Sequence, residues 1–278
     1  MPHLTGTFIG ANETELFTQA WTTPNPRAVV ALVHGVGEHS GRHINTVNFL
    51  TQKGISVYGF DLRGHGKSPG KRGFINSWDE YREDVGEFLQ MVYEREPDKP
   101  VFLMGHSLGG VMVLDYALHY NEEPLAGVIA SAPGLDAASA VSPVLVLIAK
   151  VMSLVAPKFS LPLDLDTSKI SRQPEEVKKY EDDSLNHSQG TARMGAEYLK
   201  TCQTTLANAA QMAHAVYLFH GTADGIVSHK ATQKFFDGVQ MSDKTLKLYE
   251  GAYHEMHNDL NREEMWADLL MWIESHLS

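Results

Sequence analysis

Six short apolar runs set the architecture: "AVVALVH" (28–34), "ISVYGF" (55–60), "VFLMG" (101–105), "AGVIAS" (126–131), "AVYLFH" (215–220) and "TLKLYE" (245–250). Taken together they read as continuous apolar strands separated by helices, so the sheet is expected to be covered on both faces. Helical spacing fills most of the gaps. A helix is expected over Ile44–Gln52, and Trp78, Tyr81, Val85, Phe88, Leu89 and Val92 recur on one helical face. "GVMVLDYALHY" follows the third run, and further helices are expected near 229–238 and 261–277. The pattern predicts a mostly parallel sheet with helices on both faces. Leu4–Trp21 reads as an antiparallel hairpin turning at "GAN".

From about Leu135 to Ala213 the alternation stops. This interval opens with "VSPVLVLIAKVMSLVAP" (141–157), in which Lys150 is the one charge. A membrane span needs about 20 apolar residues. The run between the two prolines is too short, about 20 Å of helix at ~1.5 Å per residue. The Pro-rich and charged tract at 157–184 marks a structural break, followed by a helical segment around 190–212. The expected organisation is a core domain from 1–134 and 214–278, with 135–213 inserted as a helical cap.

A chain of 278 residues with 43% hydrophobic content can bury a large core. Its net charge of −11 argues against nucleic acid and against a polybasic surface for anionic membranes. The single cysteine, Cys202, forms no intramolecular disulfide and fits a reducing compartment. The N-terminus shows neither a basic nor an apolar leader region, so no signal peptide is expected. The location expected is cytoplasmic, peripheral to a membrane if the apolar stretch reaches one. The sequence leaves the oligomeric state open.

G-x-S-x-G occurs twice, around Ser68 and around Ser107. A serine on a strained strand-to-helix turn needs a buried strand before it, a helix after it, and an N–H on the next residue. Ser107 has "VFLM" before it, "GGVMVLDYALHY" after it, and Leu108 to donate the N–H. Ser68 is followed by Pro69, which has no N–H, and then by "GKRG". Ser107 is the candidate nucleophile and Ser68 a loop residue.

A serine hydroxyl needs a base, and the base needs a group to fix its tautomer. Downstream, Asp224 lies just past "AVYLFH", and His254 just past "TLKLYE". Both therefore stand at C-terminal strand ends, where those roles require them. His257 is the rival base. "HEMH" is one residue short of the zincin spacing, and no third ligand cluster accompanies it. Neither a metal nor a cofactor is expected. "HGVGEHSGR" follows the first apolar run, and its glycines bring the Val36 N–H into place beside that of Leu108 as an oxyanion hole.

"HGVGEHSGR", "GFDLRGHGKSPGKRG", "FLMGHSLGG", "ISRQPEEVKKYEDDSL", "HGTADGIV" and "DKTLKLYEGAYHEMHND" together resemble the monoacylglycerol lipases of the α/β-hydrolase superfamily. They run in order from about residue 29 to 259. The resemblance implies an α/β-hydrolase fold whose cap lies between nucleophile and acid, and Ser107, Asp224 and His254 as the triad. It also implies a glycerol pocket around Glu38, Arg42 and His257, with Tyr180 near it; an ion pair that fixes the loop is the other reading of Glu38 and Arg42. Asp61, Arg63 and His65 match a loop common in this fold and read as structural. Past Asp183 the likeness is poor, so Cys202 inherits no role and reads as a helical core residue.

The expected substrate is a monoacylglycerol or similar long-chain acyl ester, its chain held by the apolar cap stretch, which also makes transient membrane-surface contact. A purely structural cap is the alternative. A broader carboxylesterase, lysophospholipase or thioesterase, an aminopeptidase using acidic residues near 160–183, and a non-turnover receptor on the same fold remain as rivals.

Overall fold

The computed structural model describes residues 2–136, 143–163 and 165–277. Six strands come first: β1 (His3–Gly10), β2 (Thr14–Trp21), β3 (Ala28–Val33), β4 (Ile55–Phe60), β5 (Val101–His106) and β6 (Leu125–Ser131). A small antiparallel pair, β7 (Ser160–Pro162) and β8 (Gln189–Thr191), stands apart, before β9 (Val216–Gly221) and β10 (Lys244–Tyr249). The main sheet has eight strands in the order β1-β2-β4-β3-β5-β6-β9-β10. Only β2 runs against the others, pairing antiparallel with both β1 and β4.

Successive residues of each central strand feed opposite cores. On β3, Val29, Ala31 and Val33 face one cluster, while Val30 and Leu32 face the other. On β5, Val101 and Leu103 separate from Phe102 and Met104 in the same way. The first core is closed by α2 (Trp78–Arg95) and α3 (Leu108–His119). The second is closed by α1 (Ile44–Gln52) and a C-terminal helix at Arg262–Ser275. This two-sided burial is why the strands read as continuous apolar runs. All six α2 residues picked out by helical spacing are buried.

The hairpin turn is pinned to this frame. Asn12 and Glu13 adopt positive φ (55° and 56°), and Ala11 N donates to Asp84 Oδ1 (2.9 Å). Arg63 closes the arrangement by donating to both Asp84 oxygens and to Ala11 O. Asp61 accepts from Ser40 N, Ser40 Oγ and Lys67 N, so this loop acts as scaffold, as expected.

Between β6 and β9 the chain leaves the sheet and forms α4 (Pro143–Val155), α5 (Pro174–Asp182) and α6 (Ala192–Ala207). Helix α4 carries most of the apolar stretch; residues 137–142 lie outside the described set. It packs on α6. The sequence reading of this interval as helical missed the β7–β8 pair. Beyond it, α7 (His229–Gly238) and α8 (Arg262–Ser275) complete the core. No helix among the described residues is long and apolar enough to cross a membrane.

Candidate active site

Ser107 sits between β5 and α3 with φ 54° and ψ −114°, a conformation an L-residue adopts only under constraint. The flanking glycines permit it. A Cβ on Gly105 would collide with the Gly109 carbonyl, and one on Gly109 with the carbonyls of Val33 and His34. Ser107 N donates to Ser131 O (2.9 Å) and its own carbonyl accepts from Gly134 N (3.1 Å), so the turn is tied to the end of β6 and to the chain just after it.

Asp224 and His254 project from the loops after β9 and β10. His254 Nδ1 donates to Asp224 Oδ2 at 2.7 Å. Asp224 Oδ1 accepts from the backbone N–H of Ile226 (2.8 Å) and Val227 (2.9 Å). Burial alone would raise this carboxyl, but His254 and the hydrogen bonds from His220 and His254 hold it well below the usual carboxylate range. Burial likewise disfavours a charged His254, yet the Asp224 carboxylate outweighs it and lifts the ring above its ordinary 6.5. Ser107 and His254 line one cavity of about 40 Å³ with Gly35, Val36, Glu38 and Tyr180. Among the described residues no hydrogen bond joins Ser107 to His254, and the two meet as walls of this cavity.

The loop after β3 supplies the other wall. His34 Nδ1 donates to Gly35 O (2.7 Å), leaving Nε2 to accept from Leu62 N (2.9 Å). Gly35 N donates to Glu38 Oε1 (2.6 Å). Val36 and Leu108 both border the nucleophile, and Leu108 N begins α3, where helix N–H groups lack internal partners. The segment after α5 closes onto this loop: His187 N donates to Gly37 O (2.9 Å), and His39 Nε2 pairs with Asp183 Oδ2 (2.9 Å).

The residues expected to hold glycerol divide. Glu38 and Tyr180 line the cavity, whereas Arg42 and His257 do not. Arg42 stands behind it, with Nη2 donating to both Glu255 oxygens (2.9 and 2.6 Å), Nε 3.4 Å from Glu38 Oε2, and the Tyr180 ring 4.6 Å from its guanidinium. Both Arg42 and Glu38 take part in the ion pair, and Glu38 also faces the cavity. His257 is turned inward by the short turn Met256–Asn258 and stacks on His43 with centroids 4.5 Å apart. Burial, with His43 and His106 adjacent, pushes it well below its ordinary value.

Three participants escaped the sequence reading. Glu255 lines the cavity and holds Arg42. His220 bonds Asp224 Oδ2 (3.0 Å) and Thr232 Oγ1 (2.8 Å), securing the carboxylate from behind. His106 packs against His254 at 4.7 Å. Ser68 is excluded as a nucleophile: its hydroxyl donates to Asp61 O (2.5 Å) and accepts from Phe17 N (2.9 Å). Cys202 is buried on α6 against Gly134 O, and burial pushes its thiol up to about 12, so it is inert.

Arg42 is nearly buried between two carboxylates. In Arg42→Met Glu255 loses its counter-charge inside the protein and Glu38 keeps only His43 beside it, which costs roughly 3–5 kcal/mol. Denaturant unfolding at neutral pH should show that loss.

The strand order, the reversed β2 and a serine elbow facing a histidine–aspartate pair define an α/β-hydrolase of the serine type. The profile of the family described as serine aminopeptidase, S33, matches residues 24–261, and the chain belongs to that family. It is 34% identical to a monoacylglycerol lipase of Mycolicibacterium smegmatis over 97% of this chain and 96% of that one. It is 31% identical to the human monoglyceride lipase, covering 98% and 90% respectively. The crystal structure of a monoacylglycerol lipase from Paleococcus ferrophilus superposes with a TM-score of 0.85 at 36% identity, covering 94% of this chain and 99% of that one.

Proposed function

We propose that this protein is a carboxylic ester hydrolase that cleaves monoacylglycerols to free fatty acid and glycerol. The carrying observation is the strained Ser107 sharing one cavity with a His254 that is itself bonded to Asp224. In this reading His254 takes the Ser107 proton as Oγ attacks the ester carbonyl, and Asp224 holds the ring with its Nδ1 proton toward the carboxylate. The oxyanion is received by the N–H groups of Val36 and Leu108. His254 returns the proton to the departing glycerol oxygen, then serves as base again while water cleaves the acyl-enzyme.

Arg42 favours an ester over a peptide. An aminopeptidase needs a carboxylate free to hold the substrate's ammonium group, and the two acids lining this cavity, Glu38 and Glu255, are both engaged by Arg42. Burial would raise Glu38, but His43 and Arg42 hold it well below the usual range, ready to accept hydrogen bonds from glycerol hydroxyls.

Residues 135–213 serve as the cap. The cavity at Ser107 is too small for an acyl chain, and in this reading the apolar stretch of α4 receives it, where burial contributes ~0.8 kcal/mol per CH₂. Leu147, Val151, Leu154 and Val155 form an exposed row on α4 that rests transiently on a membrane surface.

Steady-state hydrolysis of 1-monooleoylglycerol should far exceed that of di- and trioleoylglycerol and of a short-chain ester. A short ester turned over much faster than the monoglyceride would hand the site to a general esterase.

A further inference from the structure

The exposed row on α4 has a charged border. Between α4 and α6 lies a groove of about 490 Å³. Helix α4 gives it Lys150, Ser153 and Leu154; α6 gives it Arg193, Leu199 and Lys200. Leu154 belongs both to this groove and to the apolar row, so the two surfaces are continuous. Lys150 and Lys200 are exposed, and among the described residues neither ammonium has a carboxylate within ion-pair distance. Arg193 meets Glu197, which also borders the groove, at a loose 3.5 Å. Residues 143–163 and 192–207 carry Lys150, Lys158, Arg193 and Lys200 against Glu197 alone.

This local excess is opposite in sign to the chain's net charge of −11. Distance decides which prevails. At physiological salt, charges more than about 8 Å from a surface are largely screened, so a seated membrane senses the cap and not the whole molecule. The composition-level argument against an anionic membrane surface therefore does not apply to this face.

We infer that the α4–α6 groove is a headgroup site for anionic phospholipid in a bilayer, occupied while the Leu147–Val155 row lies in the interface. The occupant follows from the pairing of surfaces. A phosphodiester at the lipid–water boundary meets Lys150, Arg193 and Lys200, and the hydrocarbon just below it meets the exposed aliphatic row. A free anion would satisfy the cations and leave that row in water. The inference rests on the proposed membrane-facing role of α4, and it gives that contact a lipid preference.

The test uses full-length Ser107→Ala protein, so that turnover does not alter the vesicles, in sedimentation with phosphatidylcholine vesicles and with mixed phosphatidylcholine–phosphatidylglycerol vesicles. Binding should be roughly 25-fold tighter to the mixed vesicles, and this preference should fade as salt rises. Each cation removed should cost roughly fivefold on the anionic surface. Lys150→Gln with Lys200→Gln should therefore abolish the preference and leave binding to phosphatidylcholine unchanged. Leu147→Ser with Leu154→Ser should weaken binding to both. Equal binding to the two vesicle types, or a preference surviving the double glutamine variant, would overturn the assignment. So would loss of the preference to inorganic phosphate at constant ionic strength, which would reassign the groove to a free anion. The glutamine variant with Ser107 intact should cleave a soluble short ester at the wild-type rate, and wild-type failure on monooleoylglycerol would count against the catalytic reading alone.

Discussion

Ser107→Ala should lower monooleoylglycerol hydrolysis about 10⁴-fold or more while leaving the protein folded. In the proposed mechanism the hydroxyl supplies the bond-forming oxygen, and neither Ser68 nor Cys202 can replace it. Ser68, the other serine in a G-x-S-x-G setting, has its hydroxyl committed to Asp61 O and Phe17 N. Cys202 is buried with its thiol held protonated. Stability should change little, because the elbow is built by the backbone. Ser107 N and O keep their bonds to Ser131 O and Gly134 N whatever the side chain, and Gly105 and Gly109 still admit the turn. The measurement is kcat/KM beside a thermal melt. Full activity in a folded variant would remove Ser107 from the mechanism. Lost activity together with a collapsed melt would say only that the turn needs its hydroxyl.

The sheet could be read from the chain, and the candidate triad picked out, because each rests on a local pattern. Residues buried on both faces must be largely apolar, and β3 is so throughout, while β4 and β5 depart from it at Ser56 and His106. A strained turn needs glycines at its flanks, and a strand end is marked by where its apolar run stops; those two signals located Ser107, Asp224 and His254. What stayed hidden depends on partners far apart in sequence. Arg42 and Glu255 are 213 residues apart, and nothing near either one announces the other. The resemblance put His257 by the glycerol pocket, and the turn at Met256–Asn258 stacks it on His43, outside the residues that line the cavity. The β7–β8 pair has three residues in each strand and includes Pro162 and Gly190, which speak against strands. Charge on the cap was masked by averaging, since a net value for the whole chain carries no address.

Asp224→Asn should be the second large effect, a fall of about 10⁴-fold in kcat with the fold intact. Shape is conserved: asparagine's carbonyl can still accept from Ile226 N and Val227 N as Asp224 Oδ1 does. The other terminal atom is now an NH₂ facing His254 Nδ1, where the carboxylate had accepted a proton. It donates to Nδ1, which places the ring proton on Nε2, the nitrogen left to deprotonate Ser107. A histidine in that tautomer has no lone pair for the serine. His220, bonded to the same oxygen, is forced to readjust as well. The pH profile separates this from simple damage. In the wild type His254 must be neutral to act, and Asp224 lifts its pKa above 6.5, so kcat/KM should be low in acid and rise through a limb above that value. Removing the carboxylate leaves burial, which favours the neutral ring, so the residual activity of Asp224→Asn should show its acidic limb at lower pH. A variant that lost rate but kept the wild-type limb would mean that another group raises His254, and Glu255 and Glu38, the remaining acids whose charge reaches it, would then be the residues to change.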